Sequence, residues 1–167
     1  MSQVSLRQHN ETVLQDLLEG DLVEFDRGAY SHWGVYVGGE HVVHLVIDGN
    51  STSAVSCSKV CGTGEVGCVT LESFWTVANN NRAKKNNQLD NSLSPLAKEE
   101  IKRRAISKIG KYAYNLIWSN CEHFATWCRN DKKVSKQADK GLVLALVIGT
   151  VAVILLSLKE YFKSKKK

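Results

Sequence analysis

Residues 30–47 read Tyr30-Ser31-His32-Trp33-Gly34-Val35-Tyr36-Val37-Gly38-Gly39-Glu40-His41-Val42-Val43-His44-Leu45-Val46-Ile47, and this stretch decides the fold. Two runs rich in valine and aromatic residues, His32 to Val37 and His41 to Ile47, meet at a pair of glycines, the pattern of an antiparallel hairpin. Two turns are open. A two-residue turn at Gly38-Gly39 sets His32 opposite Leu45 and sends His32 and His44 to opposite faces. A three-residue turn, Gly38-Gly39-Glu40, pairs Gly34 with His44. His32 then becomes the same-face diagonal neighbour of His44, at about 7 Å between α-carbons. His41, three residues from His44, belongs to the other face in either case and is expected to meet solvent.

Outward from the hairpin, Asp21 to Phe25 alternates as a short strand, and Cys68 to Leu71 adds another, with Phe74 to Val77 nearby. The polar stretch Asn79 to Asn91 holds six asparagines and reads as an exposed loop. Ser94-Pro95 opens a helix with an apolar stripe at Leu96, Ile101, Ala105, Ile109 and Ala113. A second helix follows Ser119, where Ser119 and Glu122 have the spacing of a capping box. Strands first and helices after give an α+β class.

The chain has 167 residues, 43% of them hydrophobic and 23% charged, with one proline; that is one domain of ordinary composition with no internal repeat. The net charge of +5 is uneven, since residues 129–167 carry +7 and residues 1–128 carry −2. A basic surface spread over the whole fold is therefore absent, and no nucleic-acid partner is expected. Asp16 and Glu19 interrupt the N-terminus where a signal peptide would be apolar, and His9 lies in a polar segment expected to face water. Residues 141–158, GLVLALVIGTVAVILLSL, carry no charge and as a helix would measure about 27 Å. Lysines flank both ends, so a C-terminal transmembrane anchor is expected, with the main domain on the cytosolic side of an intracellular membrane. The organisation read from these features is an N-terminal extension (1–19), a catalytic domain (20–130), a basic linker (131–140), the anchor (141–158) and a basic tail (159–167).

Five cysteines, an odd number, favour free thiols over a disulfide framework. Cys57, Cys61 and Cys68 lack paired metal-ligand spacing, so no metal site is expected. Cys121 is the sharpest chemical signal: at the start of a helix, unpaired backbone N–H groups and the helix dipole favour a thiolate. Its partner must reach the sulfur, and His123, two residues along the same helix, faces another way. His32 and His44 are better placed, one to take the thiol proton and the other to orient it. Arg27 and Tyr30 are candidates to contact a phosphate or an oxyanion, and Trp33 to line an acyl groove.

Tyr30-Ser31-His32-Trp33-Gly34-Val35-Tyr36-Val37-Gly38, Val42-Val43-His44-Leu45 and Asn120-Cys121-Glu122-His123-Phe124, in that order, resemble the lecithin retinol acyltransferase family, nearest its small phospholipase A/acyltransferase branch. The resemblance runs from about Glu19 to Arg129. It implies a circularly permuted papain-like fold, with the histidine-bearing sheet ahead of the cysteine helix. It further implies Cys121 as nucleophile, His32 as base and then acid, His44 as its orienting partner, and Tyr30 with its neighbourhood on the oxyanion side. The implied reaction moves an acyl chain from a glycerophospholipid at a membrane surface, through a Cys121 thioester, to water, an amine or a lysophospholipid, with no cofactor. The alternatives are a retinol-type acyltransferase and a catalytically silent, membrane-tethered interaction protein.

Overall fold

The computed structural model describes residues 3–47, 67–110, 112–113 and 120–135, with single positions at 150, 155 and 159. In chain order its elements are α1 (Gln3–Asp16), β1 (Leu22–Asp26), β2 (Ser31–Gly38), β3 (His41–Ile47), β4 (Gly67–Ser73), α2 (Phe74–Ala78), β5 (Ala83–Lys85), a 3-10 turn (Gln88–Asn91), α3 (Lys98–Ile106), β6 (Tyr112–Ala113) and α4 (Cys121–Asn130). The strands form one antiparallel sheet in the order β5-β1-β2-β3-β4-β6.

Alternation along the strands sends side chains to two separate cores. Trp33, Val35, Val43 and Leu45 pack with Ile101 and Ala105 of α3 and Ala125 and Cys128 of α4. Val23, Phe25, Tyr36 and Val42 pack instead with Leu17 and with Phe74, Val77 and Ala78 of α2.

The hairpin turn follows neither of the two expected geometries. Gly39 and Glu40 both have positive φ, 58° and 60°, as a tight two-residue turn with the twist of the strands requires. It closes Gly38 on His41, and Val37 is the extra residue of a bulge, after which Tyr36 pairs with Val42 and Gly34 with His44. The bulge therefore restores the register of the longer turn. Gly38 is required there by its φ of 91°, a backbone conformation that residues with a Cβ rarely adopt.

Several local expectations are corrected. Within the N-terminal extension, α1 docks on β5, where Asn10 Nδ2 donates to Asn81 O and Asn10 Oδ1 accepts from Ala83 N, both at 2.9 Å. His9 does not face water alone, since its Nε2 is 2.9 Å from Ala83 O. Phe74–Ala78 is a helix because the Ser73 hydroxyl caps the Thr76 amide. The asparagine-rich stretch contains β5 and is stitched to β1, with Leu22 N donating to Asn87 Oδ1 and Asn87 Nδ2 to Asp21 Oδ1. Helix α3 begins at Lys98 rather than at Pro95, since Ala97 just before it is still non-helical (φ −58°, ψ 142°); the Leu96 amide is taken by the Arg129 carbonyl at 2.8 Å. The cap of α4 is Asn120, whose side chain accepts from the His123 amide while His123 Nδ1 accepts from the Asn120 amide; Ser119 lies outside the described residues.

The chain divides into two compact units, Met1–Val134 and Ser135–Lys167. In the second, Thr150, Leu155 and Lys159 are helical. The expected transmembrane helix at 141–158 is corrected, and with it the single-pass anchor and the membrane location drawn from it. Among the described residues no helix is long and apolar enough to cross a membrane. A crossing takes about 20 apolar residues; the longest described helix, α1, has 14 and includes Arg7, Glu11 and Asp16. Apart from Thr150 and Leu155, residues 141–158 lie outside the described residues. The fold class is α+β with an antiparallel sheet, and among the described residues no membrane-crossing helix is added to it.

Candidate active site

The site begins with a gap in the sheet. Tyr36 N donates to Asp21 O and Gly20 N to Tyr36 O, so even-numbered β2 residues turn their backbone groups toward β1, and Ser31, Trp33 and Val35 turn theirs toward β3. The β2–β3 ladder stops at Gly34↔His44, whereas β2 stays paired with β1 as far as Ser31. The backbone groups of Ser31 and Trp33 are met instead by the Cys121 sulfur. Its Sγ lies 3.8 Å from the Ser31 carbonyl oxygen, to which the thiol donates, and the Trp33 amide is directed at the same sulfur. Cys121 is the first residue of α4, so the thiol sits at a helix start against the backbone on either side of His32.

On the other face of the sheet, His32 Nε2 is 2.9 Å from His44 Nδ1, with the rings edge-to-face at 89°. Gly34 makes room for this pair. A Cβ there would be 2.3 Å from Val42 Cγ1 and 3.2 Å from His44 Cβ. The Nε2 of His44 lies 3.2 Å from Thr70 Oγ1 and 3.6 Å from Glu72 Oε2. Thr70 and Glu72 escaped the sequence reading, because their placement depends on the β3–β4 register, in which Thr70 pairs with His44 and Glu72 with Val42. The one available signal was their two-residue spacing on a strand.

Both reacting-type groups are held neutral. Burial pushes the Cys121 thiol up to about 11, against the amides of Trp33, Glu122 and Cys121 itself, which favour the thiolate. The expected lowering by the helix start is thus outweighed by loss of water around the sulfur. Burial, the neighbouring His44 and then Arg27 push the His32 imidazole down to about 3, with the Glu72 charge opposing them.

Arg27 donates from its guanidinium to the Val77 carbonyl at 2.5 Å, tying the β1–β2 loop to α2. Tyr30 is 53% exposed. Trp33 is buried, and its indole Nε1–H meets no acceptor among the described residues. Cys128 is a core thiol, raised by burial to about 12. Cys68 is disulfide-bonded, correcting the expectation of free thiols throughout; an odd count forbids pairing all five cysteines but not two of them. Among the described residues no group of three or more His, Cys, Asp or Glu is placed to hold a metal.

Fold and site together define a class: an α+β protein in which a histidine-bearing antiparallel sheet precedes a helix that starts on a cysteine. The lecithin retinol acyltransferase family profile matches residues 15–134. The chain is 35% identical over 137 residues to phospholipase A and acyltransferase 1 of Mus musculus, covering 81% of this chain and 77% of that one. It is 30% identical over 177 residues to lecithin retinol acyltransferase of Rattus norvegicus, covering 89% and 75%. Phospholipase A and acyltransferase 3 of Homo sapiens is 34% identical over 131 residues, covering 78% and 81%. The chain belongs to the lecithin retinol acyltransferase family. That membership supports an enzyme with lipid substrates.

Proposed function

We propose that the chain is a thiol-dependent phospholipase A and acyltransferase that carries the acyl group of a glycerophospholipid on Cys121. The observation that supports this reading is the pairing of His32 with His44 at 2.9 Å, together with a helix-start thiol seated on the backbone of Ser31 and Trp33, the residues on either side of His32 in the chain. With both groups neutral at rest, no standing thiolate–imidazolium pair is needed. His32 takes the thiol proton as the sulfur attacks the ester carbonyl, the role of a general base. Negative charge then develops on the carbonyl oxygen, and amides at the start of α4 are suited to receive it. Collapse of the tetrahedral adduct breaks the ester C–O bond, and protonated His32 returns its proton to the departing lysophospholipid oxygen. A thioester remains on Cys121. Water, an amine or a lysophospholipid then gives up a proton to His32 and takes the acyl chain, restoring the thiol.

Similarity to lecithin retinol acyltransferase over 89% of the chain makes retinol an acceptor that the assay should also offer. The test is intact-protein mass spectrometry after incubation with phosphatidylcholine vesicles. The expected result is a mass gain of one acyl chain on the native protein and none on Cys121→Ala. Absence of both adduct and lysophospholipid across phosphatidylcholine, phosphatidylethanolamine and phosphatidylglycerol would leave the family's fold without its chemistry.

A further inference from the structure

Strand β4 sets Thr70 opposite His44 and Glu72 opposite Val42, so both side chains share the face that carries His44 and His32. His44 is thus held between two neighbours. Its Nδ1 meets His32 Nε2 at 2.9 Å, while its Nε2 meets Thr70 Oγ1 at 3.2 Å with Glu72 Oε2 3.6 Å away. A neutral imidazole carries one proton, so only one of these nitrogens can donate. Thr70 does not decide which, since a hydroxyl donates or accepts with equal ease. Glu72 does. Its side chain is 7% exposed and that of His44 is 6% exposed, so the carboxylate charge is little screened by water where it faces Nε2. A lone pair on Nε2 would be repelled and a proton there attracted.

From this arrangement we infer that Glu72 is a positioning residue: with Thr70 as acceptor it fixes the proton of His44 on Nε2 and thereby leaves the basic lone pair of His32 on Nδ1. The chain of consequences is short. With its proton on Nε2, His44 offers an Nδ1 lone pair, which accepts from His32 Nε2–H. The remaining lone pair of His32 is then on Nδ1, away from His44 and available to a thiol. When His32 gains a second proton its Nε2–H keeps donating to His44, so no proton in the relay has to be rearranged during turnover. The Glu72 charge also favours protonated His32. In the opposite wiring His44 donates to His32 Nε2, His32 carries its proton on Nδ1, and it has no lone pair left for the thiol. The inference rests on reading Cys121 and His32 as nucleophile and base.

Two measurements on the full chain test it. Long-range 1H–15N correlation of the wild-type protein at neutral pH should show both His44 and His32 protonated at Nε2 and bare at Nδ1. The Nδ1-protonated form of either ring overturns the inference, whether or not the protein turns over lipid. The second compares Glu72→Gln, Glu72→Asp and Thr70→Val with wild type in phosphatidylcholine hydrolysis. The neutral amide of Glu72→Gln should lower kcat by roughly 10²-fold or more, the scale of losing a general base, with KM little changed. Glu72→Asp should recover part of the loss, and Thr70→Val should be milder than Glu72→Gln. Wild-type kcat in a folded Glu72→Gln protein sinks the inference while leaving the thiol mechanism standing. Absence of turnover in the wild type sinks that mechanism, and the tautomer spectrum still decides the wiring.

Discussion

Gly34 lies directly across the β2–β3 ladder from His44, and a Cβ at Gly34 would fall 3.2 Å from His44 Cβ and 2.3 Å from Val42 Cγ1. Neither strand can yield easily, because Val42 is fully buried in the core beneath. Gly34→Ala should therefore destabilise the fold by about 1–3 kcal/mol, the usual scale for overpacking. It should also widen the 2.9 Å His32–His44 contact and cut turnover by more than the loss of folded protein explains. Chemical denaturation alongside kcat on the folded fraction checks both. Unchanged stability would mean that the sheet opens at this point without cost.

His32 links stability to pH with a defined sign. Its pKa falls from 6.5 to about 3 on folding, mainly through burial. Between those values the unfolded chain binds a proton that the folded chain refuses, so stability rises with pH and is lost on acidification. The slope should approach about 1.4 kcal/mol per pH unit below 6.5. Asp21, Glu24 and Asp90 are held below their ordinary values of 3.8, 4.5 and 3.8. They add loss of the same sign at lower pH. Denaturation midpoints taken between about pH 5 and 6.5 isolate the histidine, and His32→Gln should flatten that segment. A wild-type curve flat over that range would show the ring to be hydrated in the folded state.

The Cys121 thiol, at about 11, should react with iodoacetamide at a rate that climbs roughly tenfold per pH unit through pH 10, following the thiolate fraction. At pH 8 it should be roughly 100-fold slower than an unhindered thiol. Peptide mass spectrometry at Cys121 gives the rate separately from Cys128, which is pushed higher still, to about 12. A rate already level near pH 7 would reveal a resting ion pair and contradict the neutral pair on which the proposed mechanism starts.

The hairpin and the cysteine helix were legible because their signals are local. Valine-rich alternation, two glycines and a polar cap each act within a few residues. The turn was not, because the left-handed backbone at Glu40 belongs to a residue type that does not advertise it, and the bulge at Val37 emerges only in the pairing of β2 with β3. The relay beyond His44 was hidden for a similar reason, since Thr70 and Glu72 become its neighbours only through strand pairing. The thiol's ionisation was misjudged because the helix start is visible in sequence and burial is not. An apolar composition over 141–158 suggests a crossing helix, whereas among the described residues none is present.

The N-terminal helix yields the last prediction, because its role depends on one buried side chain. Asn10 is 3% exposed and uses both ends of its amide, donating to the Asn81 carbonyl and accepting from the Ala83 amide. These bonds hold α1 to β5, the edge strand that covers β1. Asn10→Ala removes both and strands a buried amide and a carbonyl, which should cost about 2 kcal/mol. Asn10→Asp keeps an acceptor for Ala83 but turns a second oxygen on the Asn81 carbonyl, so it should be no more stable than the alanine variant at neutral pH. It should recover on mild acidification, as protonation supplies a donor. Thermal melts at two pH values separate the cases, and an alanine variant that melts with the wild type would show that the helix is held by its apolar contacts alone.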